Sequence, residues 1–408
     1  MTAKRTFGVR GGTETKIMDG MAKIRIIGVG ISSMRRRDLS IEDMVSQVCR
    51  DAVVDAGIEM DQIGHIFVSN MAGGVLNDQE SIRGQTFMRG LGLGATSIFN
   101  CENGCASGAS AFALGVMAAK LDDKPILILG FEKMYGFEPK DVREAIEHGM
   151  PYDQRHNIRN MLIAENMDPS IAMFCNAKWA NKQMQEKGTT IEHFAAAAVK
   201  ARRCASRTDY AKFSEPVTME EVLNSKVIHL PLTRLMCSSY TDGAAAILIS
   251  SSNKFTGPEV IGSKVVGGFG DKESHMHLKT IAQSFWEETG ISPDQVDVAE
   301  VHDATSPEEL WAIESLGLVG EGEAGDLTVR GETDLLGSHV YVNPSGGLVG
   351  RGHPLGATGL VQIAELSLHL TGKAPGRQRE RSLLALASNS GGIIHDDVAT
   401  FVLHLLKA

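Results

Sequence analysis

Strand-like apolar runs and helix-like runs alternate along this chain, and the succession occurs twice. The first half predicts strands at 24–30, 65–69, 96–100, 125–130 and 244–250, with helices at 40–56 and 105–120. The second half predicts strands at 260–268, 296–301, 340–343, 383–387 and 398–405, with helices at 277–288, 307–316 and 355–370. Strands separated by helices favour a parallel sheet covered on both faces, so the sequence predicts an α/β fold made of two copies of one unit.

The size and charge of the chain narrow the classes of function. Its 408 residues are enough for two or three cores at roughly 150 residues per domain. Lys and Arg number 40 against 50 for Asp and Glu, which gives a formal net charge of −10. Such a chain is poorly suited to neutralising a phosphate backbone, so no nucleic-acid binding is expected, and an anionic ligand needs a local basic patch.

The sequence shows no apolar stretch typical of a membrane span or a secretory signal, and together with the cysteine spacing this predicts a cytoplasmic protein. No stretch approaches the ~20 consecutive apolar residues of a membrane span, and residues 1–22 lack the apolar middle of a secretory signal. The six cysteines, at positions 49, 101, 105, 175, 204 and 237, show neither zinc-ribbon spacing nor a dense disulfide pattern. Free thiols and no metal site are therefore expected.

A segment of different character separates the two halves. Residues 133–228 combine Met, His, Arg and amphipathic helical pieces with long polar connections, so they are predicted to be an inserted loop region that covers the sheet as a lid. The predicted organisation is a leader at 1–22, an N-terminal half at 23–132 plus 229–252, the insertion at 133–228, and a C-terminal half at 253–408.

The duplication places two reactive side chains in equivalent positions. Cys105-Ala-Ser-Gly-Ala-Ser opens one apolar helix and His353-Pro-Leu-Gly-Ala-Thr opens another, each three residues before a glycine. If a pseudo-twofold axis relates the halves, Cys105 and His353 meet at the centre of the molecule. A thiol at a helix N-terminus lies among unpaired N–H groups that lower its pKa, so Cys105 is the predicted nucleophile.

Six motifs, in this order and at these separations, resemble those of the thiolase family over nearly the whole chain. They are Cys105-Ala-Ser-Gly, Thr241-Asp-Gly-Ala-Ala-Ala, Val301-His-Asp-Ala, Asn343-Pro-Ser-Gly-Gly, Gly352-His-Pro-Leu-Gly-Ala-Thr-Gly and Asn389-Ser-Gly-Gly. The His-Asp-Ala stretch is similar to the sterol-carrier-protein-type and archaeal branch. The resemblance implies the thiolase fold, two βαβαβαββ halves in five layers, α-β-α-β-α.

The resemblance also implies a role for each site residue. Cys105 attacks the 3-oxo carbonyl of an acyl-CoA, and His353 takes the thiol proton. His302, helped by Asp303, donates a hydrogen bond to the enolate oxygen. The backbone N–H groups of Cys105 and of one of two glycines form a second oxyanion hole, supported by Asn389. The two glycines are Gly391 and Gly392.

Two departures from the family pattern concern the acid/base step. Asn389 stands where ordinary thiolases carry a second catalytic cysteine, and Ala304 stands where animal sterol-carrier-type enzymes carry one. The proton of the departing carbanion is then expected to come from His302, from His353 or from a water between them. His395 is an outside candidate, which we interpret as a surface loop histidine.

The resemblance leaves several activities open. It fits a thiolase that cleaves a bulky or aromatic 3-oxoacyl-CoA, such as benzoylsuccinyl-CoA, and also fits formation of acetoacetyl-CoA from two acetyl-CoA. A retro-aldolase, a decarboxylating ketosynthase and a non-catalytic acyl-CoA or lipid carrier are the alternatives. Residues proposed for the acyl pocket are Met71 to Leu76, Phe87 and Met134 to Phe137.

Coenzyme A is the implied co-substrate, with no permanently bound cofactor. The cations considered for its phosphates are Arg35 to Arg37, Lys178, Lys182 and Lys200 to Arg203. The resemblance favours the insertion as the CoA-binding region. It also implies a homodimer formed through the sheet of the first half, and a small partner subunit with a zinc ribbon and an OB fold.

Overall fold

The computed structural model describes residues 23–35, 38–267, 277–380, 382–395 and 397–408, so the predicted leader at 1–22 lies outside it. The first half begins with β1 (Arg25–Ile31), α1 (Ile41–Ala56), β2 (His65–Ser69), α2 (Gly73–Asn77), α3 (Arg83–Phe87), β3 (Ser97–Cys101), α4 (Ser107–Ala118) and β4 (Ile126–Glu132).

The inserted segment is mostly helical. It contains α5 (Pro139–Glu147), α6 (Tyr152–Ala164), α7 (Ile171–Lys187), α8 (Ile191–Ala205), α9 (Met219–Leu223) and the start of β5 (Val227–His229), and β6 (Leu232–Thr233) follows directly after it. β5 and β6 form a separate antiparallel ribbon. The polar connections predicted here are shorter than expected, because amphipathic stretches such as that of α8 bury one face against the second half.

The chain then completes the first half and builds the second. These elements are β7 (Gly243–Ser250), β8 (Glu259–Gly267), α10 (His277–Thr289), β9 (Val298–Val301), α11 (Ser306–Ser315), α12 (Ala324–Val329), β10 (Tyr341–Val342), α13 (Gly347–Arg351), α14 (Thr358–Leu370), β11 (Leu384–Ile394) and β12 (Asp397–Lys407). A 3-10 turn at Leu355–Ala357 precedes α14.

The strand order repeats the duplication that the sequence predicts. The first half has the order β3-β2-β4-β7-β1, and the second has the corresponding order β10-β9-β11-β12-β8. The halves join edge to edge where Arg25 of β1 pairs with Glu259 of β8. The two copies therefore form one continuous ten-stranded sheet.

The sheet is mixed, which corrects the prediction of a parallel one. β2 runs parallel to β3 and β4, but β7 runs antiparallel to β4 and to β1. In the second half β11 and β12 form an antiparallel hairpin. Helical crossover connections link the parallel strands, whereas β7 returns from the long insertion and β12 follows β11 through a tight turn.

Two helices lie between the halves and create the central layer. α4 packs on β2 and β4 and also on β8 and β12, while α14 packs on β9 and β11 and also on β1 and β7. α1 covers the outer face of the first half, and α10 and α11 cover that of the second. Alternate residues of β4 face the two layers: Ile128 packs with α4, and Leu129 packs with α1. The molecule therefore has five layers, in the order α-β-α-β-α.

Small residues allow the two central helices to touch. A Cβ added at Gly108 of α4 would lie 2.9 Å from the carbonyl oxygen of Gly356, and one added at Gly359 of α14 would lie 2.6 Å from the nitrogen of Ala109. The helices therefore meet through backbone close to their N-termini, beside Cys105 and His353. Within the described residues, no helix combines the length and apolar character that crossing a membrane requires.

Candidate active site

Three side chains from the two halves meet where α4 and α14 begin. The Sγ of Cys105 and one ring nitrogen each of His302 and His353 all lie within 4.8 Å of one another. The two imidazole rings are edge to face, with centroids 5.4 Å apart and planes at 81°. Cys105 comes from the first half and both histidines come from the second, so the site exists only when the halves are packed together.

Cys105 stands two residues before the first residue of α4, on a turn rather than inside the helix. In this turn the N–H of Ala106 donates to the carbonyl of Asn103 over 3.0 Å, and that of Ser107 donates to Gly104 over 3.2 Å. Desolvation raises the pKa of Cys105 to about 12, with a further contribution from nearby carboxylates and an opposing one from its own N–H. The prediction of a lowered pKa is wrong, because burial outweighs the helix terminus.

The resting thiol is therefore neutral and requires a base. The Nδ1 of His353 lies 2.7 Å from the Oγ1 of Thr358, and this hydroxyl donates its own proton to the carbonyl of Pro354 over 3.0 Å. Because the hydroxyl proton is already engaged, Nδ1 of His353 must carry the hydrogen in that contact. Its Nε2 is then an unprotonated acceptor, the form that a general base for Cys105 needs.

His302 has the opposite tautomer. Gln362 Nε2 donates to the carbonyl of Ser388 over 3.3 Å, so its Oε1 accepts from Asn389 Nδ2 over 2.8 Å. The same amide nitrogen lies 3.3 Å from Nδ1 of His302 and donates to it. The proton of His302 must therefore be on Nε2, which makes it a hydrogen-bond donor for an oxygen atom of a ligand.

Both imidazoles are held neutral by their surroundings. Desolvation, followed by the positive charge of Arg351, lowers the pKa of His302 to about 3. Desolvation, followed by His302 and Arg351, lowers the pKa of His353 well below its usual value. Arg351 is fully buried and paired with Glu300 over 3.0 Å. A neutral base and a neutral donor therefore face the thiol at physiological pH.

Asp303 acts on a helix rather than on the ring of His302. Its carboxylate accepts the N–H of Leu348 over 2.7 Å and that of Val349 over 3.4 Å, which caps α13. A Cβ added at Gly347 would lie 2.3 Å from this carboxylate, so the helix start fits only glycine. Asp303 thus positions the segment that leads to His353.

Gly391 and Gly392 lie in β11 and pack against the turn that carries Cys105. A Cβ added at Gly391 would lie 2.1 Å from the carbonyl of Asn103 and 2.6 Å from the nitrogen of Ala106. Both glycines line the cavity in front of the thiol. Their backbone can approach an acyl carbonyl there because no side chain intervenes.

A buried carboxylate ties the loops around the site together. Glu132, at the end of β4, accepts N–H bonds from Gly356, Met71 and Ala72 over 2.9–3.1 Å and from the side chain of Asn70 over 2.8 Å. Burial raises its pKa to about 7 in spite of these donors. The loop after β2 and the loop before α14 are therefore fixed to one group.

Two further motifs also serve as supports. Asn343 accepts the N–H of Val301 over 2.8 Å and donates to Glu309 over 2.9 Å, so it fixes the end of β9 from which His302 follows. Asp242 accepts the N–H groups of Met134 and Tyr135 over 2.7 and 2.8 Å, which anchors the start of the insertion.

A cavity of about 900 Å³ opens in front of the three side chains and extends under the insertion. Its apolar wall includes Met71, Ile146, Met150, Trp179, Leu355, Ile393 and Val398. Its cations are Arg143, Arg202, Lys212, Lys226 and Arg234. One mostly apolar chamber with a basic margin is suited to a long ligand that is apolar in part and anionic in part.

Of the cations considered from the sequence, one reaches this cavity. Arg202 lines it, stacked 4.0 Å from the ring centre of Phe213, with its buried Nε unpartnered. Lys200 is instead buried against Glu309 over 2.8 Å, and Arg203 pairs with Asp334. Arg36 and Arg37 lie outside the described residues.

Other residues proposed from the sequence are placed as follows. Met71 and Tyr135 line the cavity, whereas Phe87 is part of the core beneath α1. His395 is exposed in the turn between β11 and β12 and does not line the cavity. Sequence reasoning missed the orienting partners Thr358 and Gln362. The available signal was their spacing, one helical turn apart on α14.

The Cys–His–His set is also one that a metal ion could occupy. Thiolate and imidazole are the ligands that zinc prefers, and among the described residues these three form the only group of this kind. A bound zinc ion would engage the thiol, so this reading competes with the use of Cys105 as a nucleophile.

Both halves of the chain match known protein families. The profile of the family described as "Thiolase, N-terminal domain" matches residues 25–253, and that of "Thiolase C-terminal domain-like" matches residues 274–404. The division between the two matches falls after β7, where the second copy of the fold begins. The matches therefore follow the duplication seen in the sheet.

Three curated relatives are each 31% identical to this chain. Sterol carrier protein 2 of Bos taurus aligns over 403 residues, 90% of this chain and 70% of the relative. Acetyl-CoA acetyltransferase of Methanothermobacter thermautotrophicus aligns over 385 residues, which are 91% of this chain and 97% of the relative. Benzoylsuccinyl-CoA thiolase subunit BbsB of Thauera aromatica aligns over 373 residues, which are 88% of this chain and 91% of the relative.

Solved structures share the fold at lower identity. The "Ltp2-ChsH2(DUF35) aldolase" has a TM-score of 0.76 at 19% identity and covers 95% of this chain and 98% of its own. The Acat5 thiolase from Ascaris suum, in complex with coenzyme A, has a TM-score of 0.65 at 17% identity, with coverages of 94% and 99%. The chain belongs to the thiolase family, in its sterol-carrier-protein-type branch, and is an acyltransferase enzyme.

Proposed function

We propose that the enzyme cleaves a bulky 3-oxoacyl-CoA with coenzyme A through an acyl-enzyme on Cys105. The observation that carries this proposal is the meeting of the thiol with two neutral histidines of opposite tautomer at the end of one cavity. One histidine is an acceptor and the other is a donor. A thiol nucleophile and an enolate oxygen require these two partners.

Each residue then has one task. Nε2 of His353 takes the thiol proton as Sγ of Cys105 bonds to the 3-oxo carbon. The N–H groups of Cys105 and of Gly391 or Gly392 hold the resulting oxyanion, and Nε2–H of His302 donates to the thioester oxygen that becomes an enolate. Because the pKa of Cys105 is raised to about 12, its thiol is neutral at rest and depends on His353 for its deprotonation.

The basic margin of the cavity suits the phosphates of coenzyme A. Lys212 lies 5.2 Å from the ring centre of Phe213 and 5.3 Å from that of Tyr135, which adds aromatic surface next to the cation. Lys226 near the end of the insertion and Arg234 just after it line the same cavity. We assign the phosphates and the adenine to this margin and the acyl group to the apolar wall. Coenzyme A is the co-substrate, and no permanently bound cofactor is proposed.

The apolar wall supports a bulky acyl group. Trp179, Ile393 and Val398 line it together with several methionines, a surface that can adapt to an aromatic or branched chain. The similarity to a benzoylsuccinyl-CoA thiolase subunit agrees with a substrate of this type. Formation of acetoacetyl-CoA is the second candidate, favoured by equal identity to an acetyl-CoA acetyltransferase.

Two other activities use the site differently. A retro-aldolase needs acid/base groups but no acyl-accepting thiol, and a carrier needs neither. Titration of free thiols does not separate a carrier from an enzyme here, because burial holds the pKa of Cys105 high. Acylation of Cys105 separates them.

We also propose a homodimer formed through the first half and a small partner subunit. β3 is an edge strand, and beside it Phe99, Met117 and Leu121 are 50%, 62% and 90% exposed. The solved aldolase of the same fold is named as a complex with a DUF35 protein, and one curated relative is named as a subunit. Both names support a two-subunit assembly.

Intact-mass analysis of the protein after brief exposure to acyl-CoAs tests the proposal. Wild type and Cys105→Ala are each mixed with acetyl-CoA, acetoacetyl-CoA and an aromatic 3-oxoacyl-CoA, with and without free CoA. We expect a thioester adduct on the wild type that free CoA removes, and no adduct on Cys105→Ala. The mass of the adduct identifies the acyl group.

Cys237→Ala is the matched control, because Cys237 lines the same cavity and its Sγ donates to the carbonyl of Thr233. This variant should be acylated like the wild type. Acylation of Cys105→Ala, or turnover of a 3-oxoacyl-CoA without any adduct, would contradict the proposal. Turnover without an adduct would favour the retro-aldolase.

A further inference from the structure

In the proposed function His353 holds the proton taken from Cys105 and His302 donates to the enolate oxygen, so we look beyond these histidines for the group that serves the carbanion. Cleavage of the C2–C3 bond leaves a carbanion that must be protonated, and the thiol of the incoming CoA must later be deprotonated. Asn389 cannot do either, because an amide is too weak an acid and too weak a base at neutral pH, and its nitrogen already donates to Gln362 and His302. Ala304 has no functional group.

Glu308 lies at the right place for this task. It is in the first turn of α11, three residues after Thr305 and six after His302, and it lines the cavity together with Cys105, His302 and His353. One carboxylate oxygen accepts the N–H of Thr305 over 3.1 Å. Glu308 is 9% exposed, so its carboxyl group is shielded from bulk water. Because it lines the cavity, the group can contact a ligand bound there.

We propose that Glu308 is the acid/base residue that replaces the second cysteine, an inference that rests on the proposed function. As the C2–C3 bond breaks, its electron pair passes to C2, which takes the proton of the Glu308 carboxyl, while C3 becomes the thioester carbon on Cys105. The Glu308 carboxylate then accepts the S–H proton of CoA as that sulfur attacks the thioester. The Cys105–acyl bond breaks, and Cys105 recovers its proton from His353.

The environment of Glu308 matches a group that must both give and take a proton. Burial raises its pKa to about 7, and the N–H groups of Thr305 and Ala304 offset part of this effect. The other titratable or charged groups lining the cavity are Cys105, His302, His353, Glu147, Asp168, Cys237, Tyr135, Tyr240, Arg143, Arg202, Lys212, Lys226 and Arg234.

The structural alternative is that Glu308 only caps α11. Glu308→Gln separates the two roles, because a glutamine keeps an oxygen that can accept the N–H of Thr305 but has no acidic proton to transfer. The matched control is Glu323→Gln. Glu323 is exposed and accepts the N–H of Gly320, three residues earlier, over 3.2 Å, which is the same local contact away from the cavity.

The experiment measures steady-state thiolysis and single-turnover acylation of Cys105 from pH 6 to 9, with acetoacetyl-CoA and the aromatic 3-oxoacyl-CoA. For Glu308→Gln we expect a loss of about 10²–10⁴-fold in kcat, with alkylation of Cys105 by iodoacetamide no slower than in wild type, because the substitution removes a charge that raises the pKa of Cys105. Wild-type acylation should fall as the pH rises through about 7, because the acid form is consumed. This fall should be absent in Glu308→Gln and present in Glu323→Gln.

Turnover of Glu308→Gln within a few-fold of wild type, or an unchanged fall of acylation with pH, overturns the role of Glu308. A wild type that forms no acyl-enzyme with any of these substrates overturns the proposed function and the role of Glu308 together. The two failures are thus distinguished by whether the wild type is acylated.

Discussion

His302 and His353 are both neutral, yet their tautomers are opposite. The proton of His353 is on Nδ1, against Thr358, and that of His302 is on Nε2, because Asn389 donates to its Nδ1. A single uncharged imidazole cannot serve as acceptor and donor at the same nitrogen. The site therefore needs two histidines, and the hydrogen bonds behind each ring decide which task it performs.

Replacement of His353 should change how alkylation of Cys105 depends on pH. In wild type the neutral Nε2 removes the thiol proton in the same step, so the rate with iodoacetamide should vary little from pH 7 to 9. In His353→Ala the free thiol, with a pKa of about 12, must ionise first, so the rate should be lower and rise about tenfold per pH unit. Mass mapping of the Cys105 peptide measures both rates.

The control for this prediction is His395→Asn, which keeps a residue that tolerates the positive φ of 56° in the exposed turn. Its profile should follow the wild type. A flat profile in His353→Ala would show that another group takes the thiol proton.

One helix orients both histidines. Thr358 and Gln362 are one turn apart on α14 and both are fully buried; the first bonds His353, and the second reaches His302 through Asn389. The same helix touches α4 through glycine. The position of α14 relative to α4 therefore determines how the base His353, the donor His302 and the nucleophile Cys105 are placed relative to one another.

Gly359→Ala tests this contact between elements. The added Cβ would lie 2.6 Å from the nitrogen of Ala109, so α14 must move away from α4. We expect a loss of about 1–3 kcal/mol in the free energy of unfolding, which exceeds the gain of about 1 kcal/mol in helix propensity, and slower acylation of Cys105. Urea unfolding measures the first effect and intact-mass kinetics the second.

Gly94→Ala is the comparison, because an added Cβ there meets nothing within 4 Å. That variant should keep the stability and acylation rate of the wild type. Equal stability of Gly359→Ala and Gly94→Ala would show that the two helices do not need this close approach.

Sequence patterns predicted elements better than they predicted their directions and ends. β2 occupies 65–69 as expected, because its apolar run is bounded by polar residues, but β11 continues to Ile394 instead of ending at 387. Ser388 to Gly392 carry no apolar alternation, and the hairpin with β12 extends the strand. Cys105 and His353 follow from the repeat. The role of Gln362 does not, since it resembles any polar residue within a buried helix.

The pKa of Cys105 could not be predicted from its neighbours in the sequence. Its place before a helix predicted a lowered pKa, whereas desolvation and the carboxylates of Glu308 and Glu132 raise it. Glu132 is the last residue of β4 and Glu308 lies on α11, so neither is near Cys105 in the sequence. Only the packing of the two halves brings these groups around the thiol.

At the scale of the whole molecule, the exposed edge of the first half should hold a second copy of the chain. Phe99→Lys places a charge on β3 where Phe99 stacks on Phe67, with centroids 5.2 Å apart. We expect this variant to sediment as a monomer and the wild type as a dimer in analytical ultracentrifugation. Leu336→Lys, at a residue 97% exposed in the second half, should sediment as the wild type does. Identical masses for Phe99→Lys and wild type would contradict the proposed interface.

The equivalence of the two halves bears on the ancestry of the site. Cys105 and His353 occupy the same position of the repeated unit, so a single unit pairing with itself would have presented two identical residues across the axis. Two thiols, or two imidazoles, give no division between nucleophile and base. A division between nucleophile and base therefore requires two copies that differ in sequence, and a single chain that carries both halves supplies that difference.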